Sequence, residues 1–154
     1  MTLINNLSKH NLVLPEVTSP GGSYVSVNIR GNIAFVAIQF PIKNKLYQYQ
    51  GRLGNEITTE AGYKAMELCA LNVLAQVHEK VGFDTIIGLN HIDAYYQSSD
   101  NWDEAPTVVN GASDVFVKAL GEKGAHSRAI FGVDKLPRNF SVGLTTTFTL
   151  TKLK

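Results

Sequence analysis

Cysteine, tryptophan and proline are scarce in this chain of 154 residues: one Cys, one Trp and five Pro. The single Cys69 excludes an intramolecular disulfide and suits a reducing compartment. Charge of either sign is also lacking in excess, since 14 Lys and Arg face 13 Asp and Glu. There is then no basic surplus to neutralise phosphates, and no nucleic acid partner is expected. No apolar run is long enough to span a membrane, and residues 1–16 lack the uninterrupted apolar core of a signal peptide. Charged blocks, low-complexity tracts and repeats of 20–50 residues are missing as well. What is present is a 44% hydrophobic composition in a length that suits one domain, residues 1–154. Such a domain buries about 68–70% of its unfolded surface. The expectation is a soluble, cytoplasmic, single-domain protein.

Residues 1–22 read as an irregular lead-in ending in Pro20-Gly21-Gly22, a strong turn signal. Residues 24–29 alternate apolar and polar, as a half-buried strand does. Arg30-Gly31-Asn32 offers a turn, and Ile33–Ile38 forms the second arm of a hairpin that Pro41 ends. Residues 41–57 read as a long connection broken by Gly51 and Gly54. Thr58 or Thr59 caps a helix running to about Lys80, with Gly82 beyond it. Its apolar stripe holds Ala61, Ala65, Leu68, Leu71, Asn72, Leu74 and Ala75. Asp84–Gln97 alternates and is rich in Ile and Tyr, so it reads as a strand, followed by a polar, acidic loop over 98–105. Pro106 suits the first turn of a second helix over about 106–122, with Val109, Ala112, Phe116, Ala119 and Leu120 facing the core. Ser127–Val133 is a further strand, and Pro137-Arg138-Asn139 turns into the last one. There Phe140, Val142, Leu144, Phe148 and Leu150 point one way, and Ser141, Gly143, Thr145, Thr147 and Thr149 the other. The order ββαβαββ predicts an α+β domain, a mixed sheet with two helices on one face. Its other face is left for solvent or a second copy.

Several chemical motifs are absent: no dinucleotide-binding glycine fingerprint, P-loop or nucleophile elbow. His78-Glu79 opens like a zinc-protease helix, but Gly82 stands where the second His is needed. His91 and Asp93 share a strand face with Tyr95, yet two ligands with no Cys or second His nearby make no metal site. They read as a hydrogen-bonded core or pocket wall. Cys69 lies in the helix stripe without a neighbouring cation and reads as a small core residue. The carboxylates of 98–104 read as a solvated loop. Arg128 stands out, because it opens an otherwise apolar strand. It requires an internal salt bridge, a surface position or an anionic ligand, whose carboxylate its planar fork suits.

Order and spacing from about Leu14 to Leu150 resemble the RidA/YjgF (Rid) family. The matching residues are Tyr24, then Gly31-Asn32, Gln39-x-Pro41, Val109-Asn110, Ser127-Arg128 and Leu136-Pro137. Leu68–Asn72 and Asn110–Ser113 look closer to the family's endoribonuclease-like (L-PSP) branch. The resemblance implies a chorismate-mutase-like domain, trimeric, with ligand clefts between subunits. In the enzymatic branch those clefts hydrolyse imines or enamines of 2-amino acids to keto acids and ammonia, without metal or organic cofactor. It further implies that Arg128 holds the substrate carboxylate and that Tyr24, Ile38, Gln39, Asn110 and Gly143 line the cleft.

The chain departs from that pattern at two points. The family's water-positioning Glu falls at Gly143, on the polar face of the final strand, and losing such a group typically costs about 10²–10⁴-fold in rate. The family's Ser-Gly before Gln is Ala37-Ile38 here, which puts a branched side chain where backbone approaches the substrate. The reading is therefore a homotrimer that binds a small carboxylate, an imino or keto acid, with catalysis weak or absent. The alternatives are a divergent imine deaminase using Asp93, Glu104 or a water network, and, less favoured by charge, an endoribonuclease.

Overall fold

The computed structural model describes residues 2–152. The lead-in is not wholly irregular. It opens with a short helix, α1 (Leu3–Lys9), whose first turn is capped by the Thr2 hydroxyl accepting from the Asn5 amide at 3.1 Å. Leu3 and Leu7 are buried, and the Asn6 amide donates to the Ala119 carbonyl at 2.8 Å. Among the described residues three α-helices, not two, therefore pack on the sheet side. A seven-residue segment carries too little periodic signal to be seen before its docking site is known.

Strand β1 (Val27–Arg30) begins three residues later than the alternation implied. It pairs with β2 (Ile33–Gln39) around Gly31 and Asn32, and Gly31 takes φ 60° at the first loop position. Hairpins of this length need that sign of φ to match strand twist. The 41–57 connection holds a second small hairpin, β3 (Ile42–Lys43) with β4 (Leu46–Tyr47). Its turn residues Asn44 and Lys45 both take positive φ. Helix α2 (Thr59–Val81) starts where the Thr58 hydroxyl accepts from Ala61 N at 3.0 Å and stops at Gly82, φ 82°. Strand β5 (Ile86–Tyr96) leads to α3 (Ala105–Leu120), with Pro106 in its first turn. Strands β6 (Ser127–Gly132) and β7 (Val142–Leu150) complete the chain.

The main sheet runs β1-β2-β7-β5-β6, antiparallel except for the parallel β5–β6 pair. β7 sits at its centre, and Val142, Leu144, Phe148 and Leu150 are buried in the core, as their period of two requires. The opposite face carries a row set by register, Phe35–Thr147–His91–Ser127. Phe35 remains 48% exposed there. No helix among the described residues is long and apolar enough to cross a membrane.

Cys69 is fully buried in α2, and burial pushes its thiol well above the ordinary range. A thiol reagent should therefore leave the native protein unmodified and react with one equivalent on unfolding. Rapid labelling of the folded protein would contradict that packing. Tyr63 on α2 donates to Asp114 on α3 at 2.5 Å. That bond, then burial, then the charges of Asp114 and Glu67, pushes the phenol up to about 12. Because the native state holds the phenolic proton more tightly, this contribution to stability is full below pH 10 and fades between pH 10 and 12. In an alkaline absorbance titration one tyrosine of the six should lag the others, and Tyr63→Phe should remove that component.

Candidate functional site

Arg128 lies on edge strand β6, in register with Ile92, which is wholly buried. Its side chain therefore projects to the helix side, where α3 meets it. One guanidinium nitrogen donates to Asn110 Oδ1 at 2.8 Å and to Ser113 Oγ at 3.2 Å, and the other to the Pro106 carbonyl at 3.4 Å. All three acceptors are neutral, and among the described residues no carboxylate pairs with Arg128. Among the described residues of one copy, the internal salt bridge is thus ruled out. The fork is held in one orientation, its charge is uncompensated, and some of its donors remain unused. Asn110 and Ser113 are three apart on a helix and so share a face. That spacing was a legible signal for Ser113, which sequence reasoning passed over.

Tyr24, Ile38 and Gln39 gather elsewhere, around a cavity of about 340 Å³ at the β2 end of the sheet. The Tyr24 hydroxyl accepts from the Gly21 amide at 3.0 Å, and its ring is 51% exposed. Gln39 is buried and already engaged. Its amide donates to the Ala37 carbonyl at 3.0 Å, while the Thr18 hydroxyl donates to its Oε1 at 3.4 Å. The α2 stripe supplies the cavity's supports. Asn72 donates to the Phe40 and Ile42 carbonyls, both at 2.9 Å, and Gln76 donates to the Thr18 carbonyl at 2.9 Å. Asn72, read as part of an apolar stripe, is a buried bracket for the cavity wall.

Gly143 adjoins this cavity from β7. A Cβ built there would stand 2.8 Å from Ile38 Cδ1 and 3.0 Å from Phe40 Cε1. The space a side chain at 143 would need is taken by Ile38 and Phe40, which follow from the irregular register between Val36 and Gln39. The six residues named from sequence thus form two groups, Arg128 with Asn110, and Tyr24, Ile38 and Gln39 with Gly143. Strands β2 and β6 stand three steps apart, about 14 Å at ordinary strand spacing. One copy of the chain does not bring the two groups together.

The carboxylates weighed as substitutes for the missing Glu are committed elsewhere. Asp93 Oδ1 lies 2.9 Å from His91 Nε2, and His91 Nδ1 lies 2.7 Å from the Ser127 hydroxyl. This chain of three runs along the open face, the opposite side of the sheet from Arg128. Glu104 accepts from the Thr59 hydroxyl at 2.5 Å, and Trp102 Nε1 donates to that hydroxyl at 2.8 Å. Among the described residues no group of three or more His, Cys, Asp or Glu could hold a metal ion.

Residues missed by sequence reasoning complete the cavity. Phe40 and Phe140 stack at 4.8 Å between centroids with 11° between planes, and Tyr47 meets Phe140 edge-on at 5.0 Å. Phe40 and Phe140 lie on either side of a hundred residues of chain, so no local pattern pairs them. Arg138 stands at the mouth in a left-handed conformation, φ 57° and ψ 23°.

Comparison with known proteins agrees with this architecture. Residues 5–150 match the family described as "YjgF/chorismate_mutase-like, putative endoribonuclease". Protein TCP17 of Trypanosoma cruzi is 32% identical over 134 residues, 86% of this chain and 84% of that protein. The crystal structure of a "putative endoribonuclease" from Shewanella oneidensis is 30% identical, with a TM-score of 0.94 over 97% of this chain and all of that one. The protein Atu1372 of Agrobacterium tumefaciens is 29% identical, with a TM-score of 0.90 over 96% of this chain and 92% of that one. With its helix-backed mixed sheet and a family match spanning nearly its whole length, the chain belongs to the YjgF/chorismate-mutase-like family.

Proposed function

We propose that the protein is a homotrimer whose inter-subunit clefts bind a small carboxylate, an imino or keto acid, through Arg128, with little or no catalysis. The observation that carries this reading is the Arg128 guanidinium itself. It is oriented by Asn110, Ser113 and the Pro106 carbonyl, and no carboxylate among the described residues neutralises it. A fork fixed in this way pairs with a carboxylate at low entropic cost. Assembly is supported by the separation of the two residue groups, which a neighbouring copy can bridge, and by the half-exposed open face of the sheet. The cleft would be composed of Arg128 and Asn110 from one subunit and Tyr24, Ile38 and Gln39 from the next.

Weak catalysis follows from Gly143. Hydrolysis of an imine needs a group that positions and deprotonates water, and Ile38 and Phe40 close the place where a carboxylate would stand. The test is ammonia and keto-acid release from 2-imino acids generated in situ, alongside calorimetric binding of 2-oxobutanoate and sedimentation velocity. The expectation is a trimer that binds 2-oxobutanoate and leaves hydrolysis at the uncatalysed rate. Arg128-dependent acceleration would instead establish a divergent deaminase. Gly143→Glu should not create activity by itself, and overpacking against Ile38 should lower stability by about 1–2 kcal/mol. Adding Ile38→Gly should relieve much of that cost, read as the urea midpoint.

A further inference from the structure

The aromatic cavity beside Gly143 defines a class of ligand. About 340 Å³ is at the small end of the range for small-molecule sites. Phe40, Phe140, Tyr47 and Ile38 line the cavity beside the polar Thr18, Ser26 and Gln39, and Ile38 takes the space a side chain at 143 would need. Phe140 is only 2% exposed and anchors the stack, while Tyr47 is 46% exposed on its hairpin and keeps a free ring surface. With Phe40 and Phe140 stacked on each other, the half-exposed Tyr47 ring and the partly exposed Phe40 are the surfaces a guest meets, and such rings favour a flat apolar guest through stacking and edge contacts.

Arg138 adds a charge at the mouth. A left-handed φ in a non-glycine residue is strained and persists only where the surroundings enforce it. Here a set of hydrogen bonds enforces it. Gln50 donates to the Arg138 carbonyl at 2.7 Å, and the buried Gln97 amide holds Asn139 Oδ1 and the Gly51 carbonyl, each at 2.9 Å. The Leu136 amide donates in turn to Gln97 Oε1 at 2.7 Å. This clamp fixes the turn that carries Arg138, whose guanidinium has no hydrogen-bond or ion-pair partner among the described residues.

We propose that this cavity takes the planar apolar side chain of an aromatic 2-oxo or 2-imino acid, with Arg138 at its mouth as a second cationic contact for the carboxylate beside the neighbouring subunit's Arg128. The inference rests on the carboxylate-cleft reading above and narrows its ligand class. Phenylpyruvate and 2-oxobutanoate serve as probes, titrated calorimetrically into wild-type protein and into Arg128→Ala, Arg138→Ala and Tyr47→Leu. Tyr47 and Arg138 are exposed, so these variants should fold, and circular dichroism checks it.

Phenylpyruvate should bind about tenfold tighter than 2-oxobutanoate. Tyr47→Leu should erase most of that preference, and Arg138→Ala should weaken phenylpyruvate several-fold. Phenylacetone, which keeps the ring and loses the carboxylate, should not bind measurably. Equal affinity for the two acids, with Arg128→Ala abolishing both, overturns the aromatic assignment and leaves the carboxylate cleft standing. Phenylpyruvate binding that is indifferent to Tyr47 and Arg138 overturns it too. Binding of neither acid to the wild type removes both readings.

Discussion

Gly111→Ala should destabilise the protein by at least about 3 kcal/mol, measured as a fall in the urea midpoint at unchanged slope. An added Cβ at position 111 would stand 2.1 Å from the Tyr63 carbonyl oxygen and 3.2 Å from its Cα. These are backbone atoms of α2, so relief requires the two helices to part along their contact. Helix propensity pulls the other way, since Ala in place of an interior Gly gains about 1 kcal/mol. The steric cost exceeds that gain because the obstacle cannot rotate aside. Gly62 provides the internal comparison. A Cβ there meets Leu53 Cδ2 at 2.5 Å and Val108 Cγ2 at 2.9 Å, both side-chain methyls. Gly62→Ala should therefore cost clearly less than Gly111→Ala. If the two variants unfold at the same urea concentration, the close approach of α2 and α3 is not the reason for a glycine at 111.

Arg128→Ala should weaken 2-oxobutanoate binding about a hundredfold, near 2.7 kcal/mol. The loss combines a missing bidentate contact with removal of the carboxylate's principal counter-charge in the cleft. Arg128→Lys should recover only part of it, because an ammonium keeps the charge but not the fork that spans Asn110, Ser113 and the ligand. The same substitutions remove ties between β6 and α3. Sedimentation and thermal melts on each variant separate a lost ligand contact from a loosened edge strand. Unchanged affinity in a folded, assembled Arg128→Ala protein would sink the carboxylate reading.

Much of the candidate site was legible as residue types and little of it as geometry. Arg128 drew notice because a cation opening an apolar strand needs an explanation, and its neighbours Asn110 and Ser113 share a helix face. Gly143 was legible as a polar-face position of a strand with a period of two. That Ile38 and Phe40 fill the space beside it depends on the irregular β2–β7 register, which no spacing encodes. Tyr47, Phe140 and Arg138 reach the cavity from two loops whose positions are fixed by Gln97 and its bonds to Gly51, Leu136 and Asn139. A lone Gln at a strand end gives no sign of such a role.

Local signals alone determined the order of the main-sheet strands and the two long helices: the cap at Thr58, the stop at Gly82, Pro106 at the head of α3 and the alternation of β7. Each arises from interactions within a few residues, where hydrogen bonding and side-chain direction repeat with the backbone. Only the tertiary structure decided the parallel pairing of β5 with β6, the docking of α1 on α3 and the backbone contact at Gly111. It likewise decided the separation of Arg128 from Tyr24 across the sheet. These depend on which distant surfaces bury one another most completely, a competition among long-range packings that periodicity does not record.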